Sequence, residues 1–261
     1  MPSIIEWTIG SSIVLIAVSL WGLLTFYARR SALEAEARRR FEFALGMYLF
    51  GWLALAFVLG SSGIFQATPS RAFPALALGI TIFILAGAWL MHRSSVLKTV
   101  LATIPLPWLM GVQFYRVLGF NFLLLYSLGR LPWEFAIPAG WGDVAVGLAA
   151  PVVGYVFYRG YRWSCLAALG WNVVGILDLI VAVSMGFLSS PGPFQALALA
   201  NPNMLITAFP LVLVPIYAVP LSILLHLAAL KRLKVAVAAS PCQEFKCCGA
   251  LQHAGLHPVA P

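Results

Sequence analysis

The chain has 261 residues, 62% of them hydrophobic and 9% charged, with a mean hydropathy of +0.95. That balance excludes an ordinary soluble domain, which needs more polar surface, and leaves no long polar stretch for a separate one; it predicts a single all-α multi-pass membrane bundle. The formal charge of +8 belongs to short connections between apolar runs, so it is assigned to anionic lipid headgroups and not to nucleic acid.

Seven apolar stretches follow one another, at 4–27, 41–59, 73–91, 100–128, 139–157, 163–188 and 204–230. Each reaches the length of about 20 residues that a membrane-crossing helix needs. The N-terminus, MPSIIEW, has no basic n-region, and the first stretch is followed by Arg29 and Arg30; it reads as a retained span and not a cleaved signal. The connection RRSALEAEARRR, 29–40, is rich in helix formers and charge, as befits a short solvated helix lying on headgroups. The fourth stretch is overlong and carries Pro105 and Pro107 near its start. It is expected to begin as an interfacial or kinked segment and to cross from about Trp108. SSPGPFQALALANPN, 189–203, reads as a loop in preference to a re-entrant cap.

The seventh stretch holds Pro210, Pro215 and Pro220 at five-residue spacing. A kinked helix held by its neighbours is preferred over a bent gate whose freed carbonyls face a pocket. His226 is placed near the inner end of this span, as an interfacial histidine and not a ligand. The bundle therefore occupies 1–234, and 235–261 form a flexible cytoplasmic tail. No internal repeat is evident, which argues against a transporter of inverted halves.

Charge sets the expected orientation. Thirteen of the 16 basic residues fall on one side: five arginines in 29–40, then Arg93, Lys98, Arg159, Arg162, Lys231, Arg232, Lys234 and Lys246. Arg71 and Arg130 fall on the other, and Arg116 lies inside a span. The positive-inside rule then puts the N-terminus outside and the C-terminus in the cytoplasm. Trp7, Trp133 and Trp141 would mark the outer interface, and Tyr27, Trp89 and Trp163 the inner one.

The informative residues are the polar ones where lipid is expected. The fourth stretch carries Gln113, Arg116 and Asn121, the fifth Asp143, and the sixth Asn172 and Asp178; the two aspartates are the only ones in the chain. A charge near the bilayer centre costs about 3 kcal/mol even on insertion scales, so such groups must face one another, water or the bundle interior. At about 1.5 Å per residue, Arg116 lies about 18 Å from the outer end of its span, Asp178 about 15 Å and Asn172 about 24 Å from theirs. An Arg116–Asp178 pair is feasible, Asp143 is the alternative partner, and both aspartates sharing the arginine is a third arrangement. Asp143, Gly147, Ala150, Pro151 and Gly154 share one helical face. So do Trp171, Gly175, Asp178 and Ala182, and so do Gln113 and Arg116; these small-to-polar faces suit close packing toward one interior.

Other chemistry has little support. Phosphate-loop, zinc-protease and nucleophile-elbow motifs are absent, the last span has no lysine for a retinal Schiff base, and the four histidines are too peripheral for a di-metal or bis-histidine haem centre. No cofactor and no metal is expected. CQEFKCCGALQHAGLH, 242–257, has a histidine spacing compatible with zinc, but its cysteines match no common finger, so a tail with reduced thiols is preferred.

QFYRVLGFN at 113–121, LPWEFAIPAGWGDVAVGLAAP at 131–151 and WNVVGILD at 171–178 resemble a group of small multi-pass bacterial inner-membrane proteins of unassigned function. The resemblance covers roughly 100–233 and brings no mechanism with it. The functional expectation rests on the residues: small-solute or proton-coupled transport or binding, with Arg116, Asp143 and Asp178 as the charged set and Gln113, Asn121 and Asn172 orienting them. The alternatives are a membrane-embedded enzyme acting on a lipid or isoprenoid, and a structural subunit whose polar cluster is interhelical glue. A non-enzyme is favoured, with membrane lipids and a small solute as its partners.

Overall fold

The structure, a computed structural model, describes residues 4–69 and 75–238. Arg71, Phe73 and the Cys/His segment at 242–257 lie outside the described residues, as does the 239–261 part of the expected tail. Helices α1 (Ile4–Arg30), α2 (Ala35–Ser61) and α3 (Ala75–Arg93) are followed by three shorter ones, α4 (Ser95–Thr103), α5 (Leu106–Gly111) and α6 (Phe120–Ser127). Then come α7 (Trp133–Tyr158), α8 (Ser164–Ser189) and α9 (Val219–Ala238). A 3-10 helix, Val112–Gly119, joins α5 to α6, and a π-helix, Val214–Ala218, leads into α9. The fold is all-α, with no strand among the described residues.

Seven segments are long and apolar enough to cross a membrane: α1, α2, α3, Leu106–Ser127, α7, α8 and Val214–Val235. Their outward faces carry large apolar side chains such as Leu15, Leu85, Trp89, Leu166 and Val174, far more than a soluble surface tolerates. One end of the bundle bears Arg29, Arg93, Arg159 and Lys231, here called the basic end; the other, the loop end, carries the turns at 62–69, 128–132 and 190–213.

The fourth and seventh segments depart from their sequence-based bounds. The fourth is three pieces. Helix α4 is a separate short helix, begun by the Ser94 hydroxyl accepting from Leu97 N–H at 3.1 Å. The chain then breaks at Pro105, whose missing N–H orphans the Leu101 carbonyl. The Ile104 carbonyl is also left over, because Trp108 N–H turns to Pro105 O at 3.0 Å. Arg232 from α9 supplies both donors, to Leu101 O and, at 2.8 Å, to Ile104 O. Arg232 thus holds the carbonyls released at the Pro105 break, and α9 runs on past it to Ala238.

The seventh segment begins ten residues later than 204. Pro210 sits in the turns before it, Pro215 in the π-helix and Pro220 in the first turn of α9. Pro220 removes the α-helical donor to the Ile216 carbonyl, and Trp52 Nε1 replaces it at 3.1 Å. The freed carbonyl therefore faces a tryptophan and not a pocket. Val214–Val235 is the most enclosed of the seven segments, 67% of its window lying inside the protein. Ser222 and His226, carried on it, are both buried.

Candidate functional site

Arg116, Asp143, Asp178 and His226 each lie within a few residues of the middle of their segments. The 3-10 winding brings Gln113, Arg116 and Gly119 onto one line, because side chains three apart eclipse at three residues per turn; all three are buried. That line packs against α7, which also packs along α8. Small residues permit the approach. A Cβ on Gly142 would collide with the Asp178 carboxylate, and one on Gly175 would collide with the His226 ring and stand 3.3 Å from Arg116 Nη1.

Both aspartates hold the same arginine. Arg116 Nε donates to Asp143 Oδ1 at 2.8 Å, and Nη2 donates to Asp178 Oδ2. The Arg116 side chain is 2% exposed, against 14% for Asp143 and 12% for Asp178, so the carboxylates form the more open side of the cluster. Nη1 donates to the Gly175 carbonyl at 3.3 Å and to His226 Nε2 at 3.2 Å. Four of the five guanidinium N–H groups are therefore committed to protein acceptors.

The sequence position of His226 suggests an interface, and the structure corrects this: it is fully buried at the centre of the site. The reason is the late start and late end of its segment. Its tautomer follows from two neighbours. Asn172 Nδ2 donates to Ala168 O at 2.7 Å, which leaves Asn172 Oδ1 as a pure acceptor 2.9 Å from His226 Nδ1. Arg116 has no lone pair to offer Nε2. Both contacts require a neutral imidazole with its proton on Nδ1. The Trp171 ring covers it at 4.9 Å between centroids, and Trp171 Nε1 in turn donates to Val146 O at 3.0 Å.

The other expected residues divide. Asn172 is fully buried and belongs to the chain of contacts through His226. Gln113 is fully buried too, but its Nε2 donates to the Ser222 carbonyl at 3.3 Å, beside the Tyr115–Ser222 hydroxyl contact. Among the described residues its Oε1 finds no partner. Asn121 is not part of the site: it is half-buried and donates to Leu118 O of its own chain turn at 2.8 Å. Sequence reasoning missed Ser222 and His226. Their spacing of four residues, which puts two polar groups on one face of an apolar helix, was the available signal.

Two cavities meet at this cluster. The first, about 50 Å³, is walled by Tyr115, Arg116, Asp143 and Ser222 together with apolar residues of α1 and α9. The second, about 90 Å³, lies toward the loop end under the connections at 65–68 and 190–195, and it too reaches Asp143. Phe122, Asp143, Val214 and Val219 line both. Asp178 lines neither, so Asp143 is the carboxylate presented to the space and Asp178 the one held behind. Among the described residues no three His, Cys, Asp or Glu side chains converge as a metal set.

Neither a curated protein nor a solved structure matches the chain. A family model described as Domain of unknown function (DUF8737) matches residues 72–234, a stretch that holds Arg116, Asp143, Asn172, Asp178 and His226. With well over half of its length matched, the chain belongs to that family.

Proposed function

We propose that the chain is a multi-pass protein of a bacterial inner membrane, N-terminus outside and C-terminus cytoplasmic, that binds or transports a small solute or protons at Arg116, Asp143 and Asp178. The carrying observation is that Asp143 is at once an ion-pair partner of Arg116 and part of the wall of both cavities. A cluster that served only to pack helices would need no space beside its charges. The loop-end cavity supplies an approach from the side that the positive-inside rule makes external. Membrane lipids cover the apolar outer face in this reading.

The enzyme reading is disfavoured by size. Spaces of about 50 and 90 Å³ beside Asp143 fall far short of the several hundred Å³ that larger ligands such as an isoprenoid fill. The test of the favoured reading is proton flux in proteoliposomes loaded with a pH-sensitive dye. Wild type is expected to exceed Asp143→Asn and protein-free vesicles, with Asp178→Asn intermediate. Equal flux in all four removes the proton-carrying role.

A further inference from the structure

We infer that the solute taken by this site is a small organic monocation of the alkylammonium type, entering from the loop end. This rests on the reading of Asp143 as the solute-facing group. Three observations carry it. First, one guanidinium faces two carboxylates, so the cluster keeps one uncompensated negative charge when both are ionised. An incoming cation completes the balance, whereas an anion would add to the excess. Second, Arg116 is spent. Four of its five N–H groups are tied to Asp143, Asp178, Gly175 and His226, so a bidentate grip on an anion would have to displace one of these partners. Asp143, in contrast, has unused acceptor capacity on the side where the space lies.

Third, among the described residues the approach is built of rings and has no basic side chain in its wall. The cavity of about 90 Å³ is lined by Phe65, Phe122, Phe135, Phe187 and Phe194 around the single carboxylate of Asp143, with Arg116 absent from its wall. The negative faces of aromatic rings attract ammonium groups, and more strongly where water is thin. Phenylalanine rings offer an anion nothing comparable. The space favours a small cation: a cavity of about 150 Å³ is what holds a benzene ring, so the part inside the protein fits a chain of a few carbons.

The experiment is saturable binding of radiolabelled butylammonium to the full chain in lipid nanodiscs at low salt, with butyrate as the competitor of opposite charge. Butylammonium is expected to bind wild type and to lose at least tenfold in affinity in Asp143→Asn, while butyrate does not compete. Because Asp143→Asn touches the ion pair and can fail to fold, Phe194→Lys is the second variant. Phe194 is 65% exposed at the cavity mouth, and a positive charge there is expected to weaken butylammonium binding severalfold at low salt, with recovery as salt is raised. No butylammonium binding to wild type, or affinity unchanged in both variants, overturns the inference. Saturable butyrate binding that Asp143→Asn alters overturns the cation while leaving Asp143 as the solute-facing group. Absence of binding by either compound, together with equal proton flux in wild type and Asp143→Asn, overturns both.

Discussion

His226 Nε2 lies 3.2 Å from Arg116 Nη1, and since a guanidinium can only donate, the imidazole is the acceptor. His226 is thereby a positioning residue for the arginine that both aspartates share. Nitrogen-15 spectra of histidine-labelled protein are expected to show His226 neutral with its proton on Nδ1. A proton on Nε2 would contradict the contact. His226→Phe keeps bulk but leaves Asn172 Oδ1 and one Arg116 donor without their partner. The cost is about 1–3 kcal/mol for each buried group left unsatisfied, read as a lower unfolding midpoint in detergent.

The sharing of Arg116 makes the three charges unequal. Arg116→Gln leaves two carboxylates in the protein interior with no cation, and breaking a buried pair in this way costs about 3–5 kcal/mol. Asp178→Asn removes one charge-assisted hydrogen bond, worth about 1.5–3 kcal/mol, and leaves Asp143 to neutralise the arginine. Yield of monodisperse protein on gel filtration is therefore expected to fall in the order wild type, Asp178→Asn, Arg116→Gln. If Asp178→Asn is the worse of the two variants, the shared-arginine account is wrong.

Much of this cluster is legible in sequence because charge in an apolar segment has few options. Arg116, Asp143 and Asp178 had to meet, and they do. Which aspartate pairs was not legible: the answer, both, depends on Arg116 sitting on a 3-10 helix whose winding VQFYRVLG does not announce, its one glycine standing at the last position and no proline inside it. His226 was hidden for a different reason. Lys231, Arg232 and Lys234 look like the border of a membrane, so counting back from them puts the histidine near an interface. Arg232 instead turns to carbonyls released by the Pro105 break, an event 127 residues away in the chain (from 105 to 232). Asn121 failed as a site residue because an asparagine can satisfy itself on its own turn, here at Leu118, which spacing alone cannot distinguish from an inward role.

Close approach gives a prediction with its own control. Gly175→Ala places a methyl against the His226 ring and 3.3 Å from Arg116 Nη1, so the contact between the two must open. Gly22, in α1, has nothing within 4 Å of a built Cβ. There alanine is expected to stabilise the helix by about 0.5–1 kcal/mol. The two substitutions are thus expected to move the unfolding midpoint in opposite directions, and only Gly175→Ala should disturb the His226 nitrogen resonances. A Gly175→Ala protein with wild-type spectra would mean that α8 does not pack on α9 as closely as His226 requires.

Orientation is the last expectation that a measurement settles. The basic end gathers Arg29, Arg30, Arg38, Arg39, Arg40, Arg93, Lys98, Arg159, Arg162, Lys231 and Lys234, while the loop end of the described residues has Arg130, which pairs with the buried Glu6. Short basic connections resist translocation, so the basic end should stay in the cytoplasm. A fluorescent protein fused after Lys234 is expected to glow in bacterial cells, and alkaline phosphatase inserted at Gly129 to be active. The reverse pattern would place the cavity that leads to Asp143 on the cytoplasmic face. It would reverse the direction from which a cation reaches the site, while leaving its recognition by Asp143 and the phenylalanine rings unchanged.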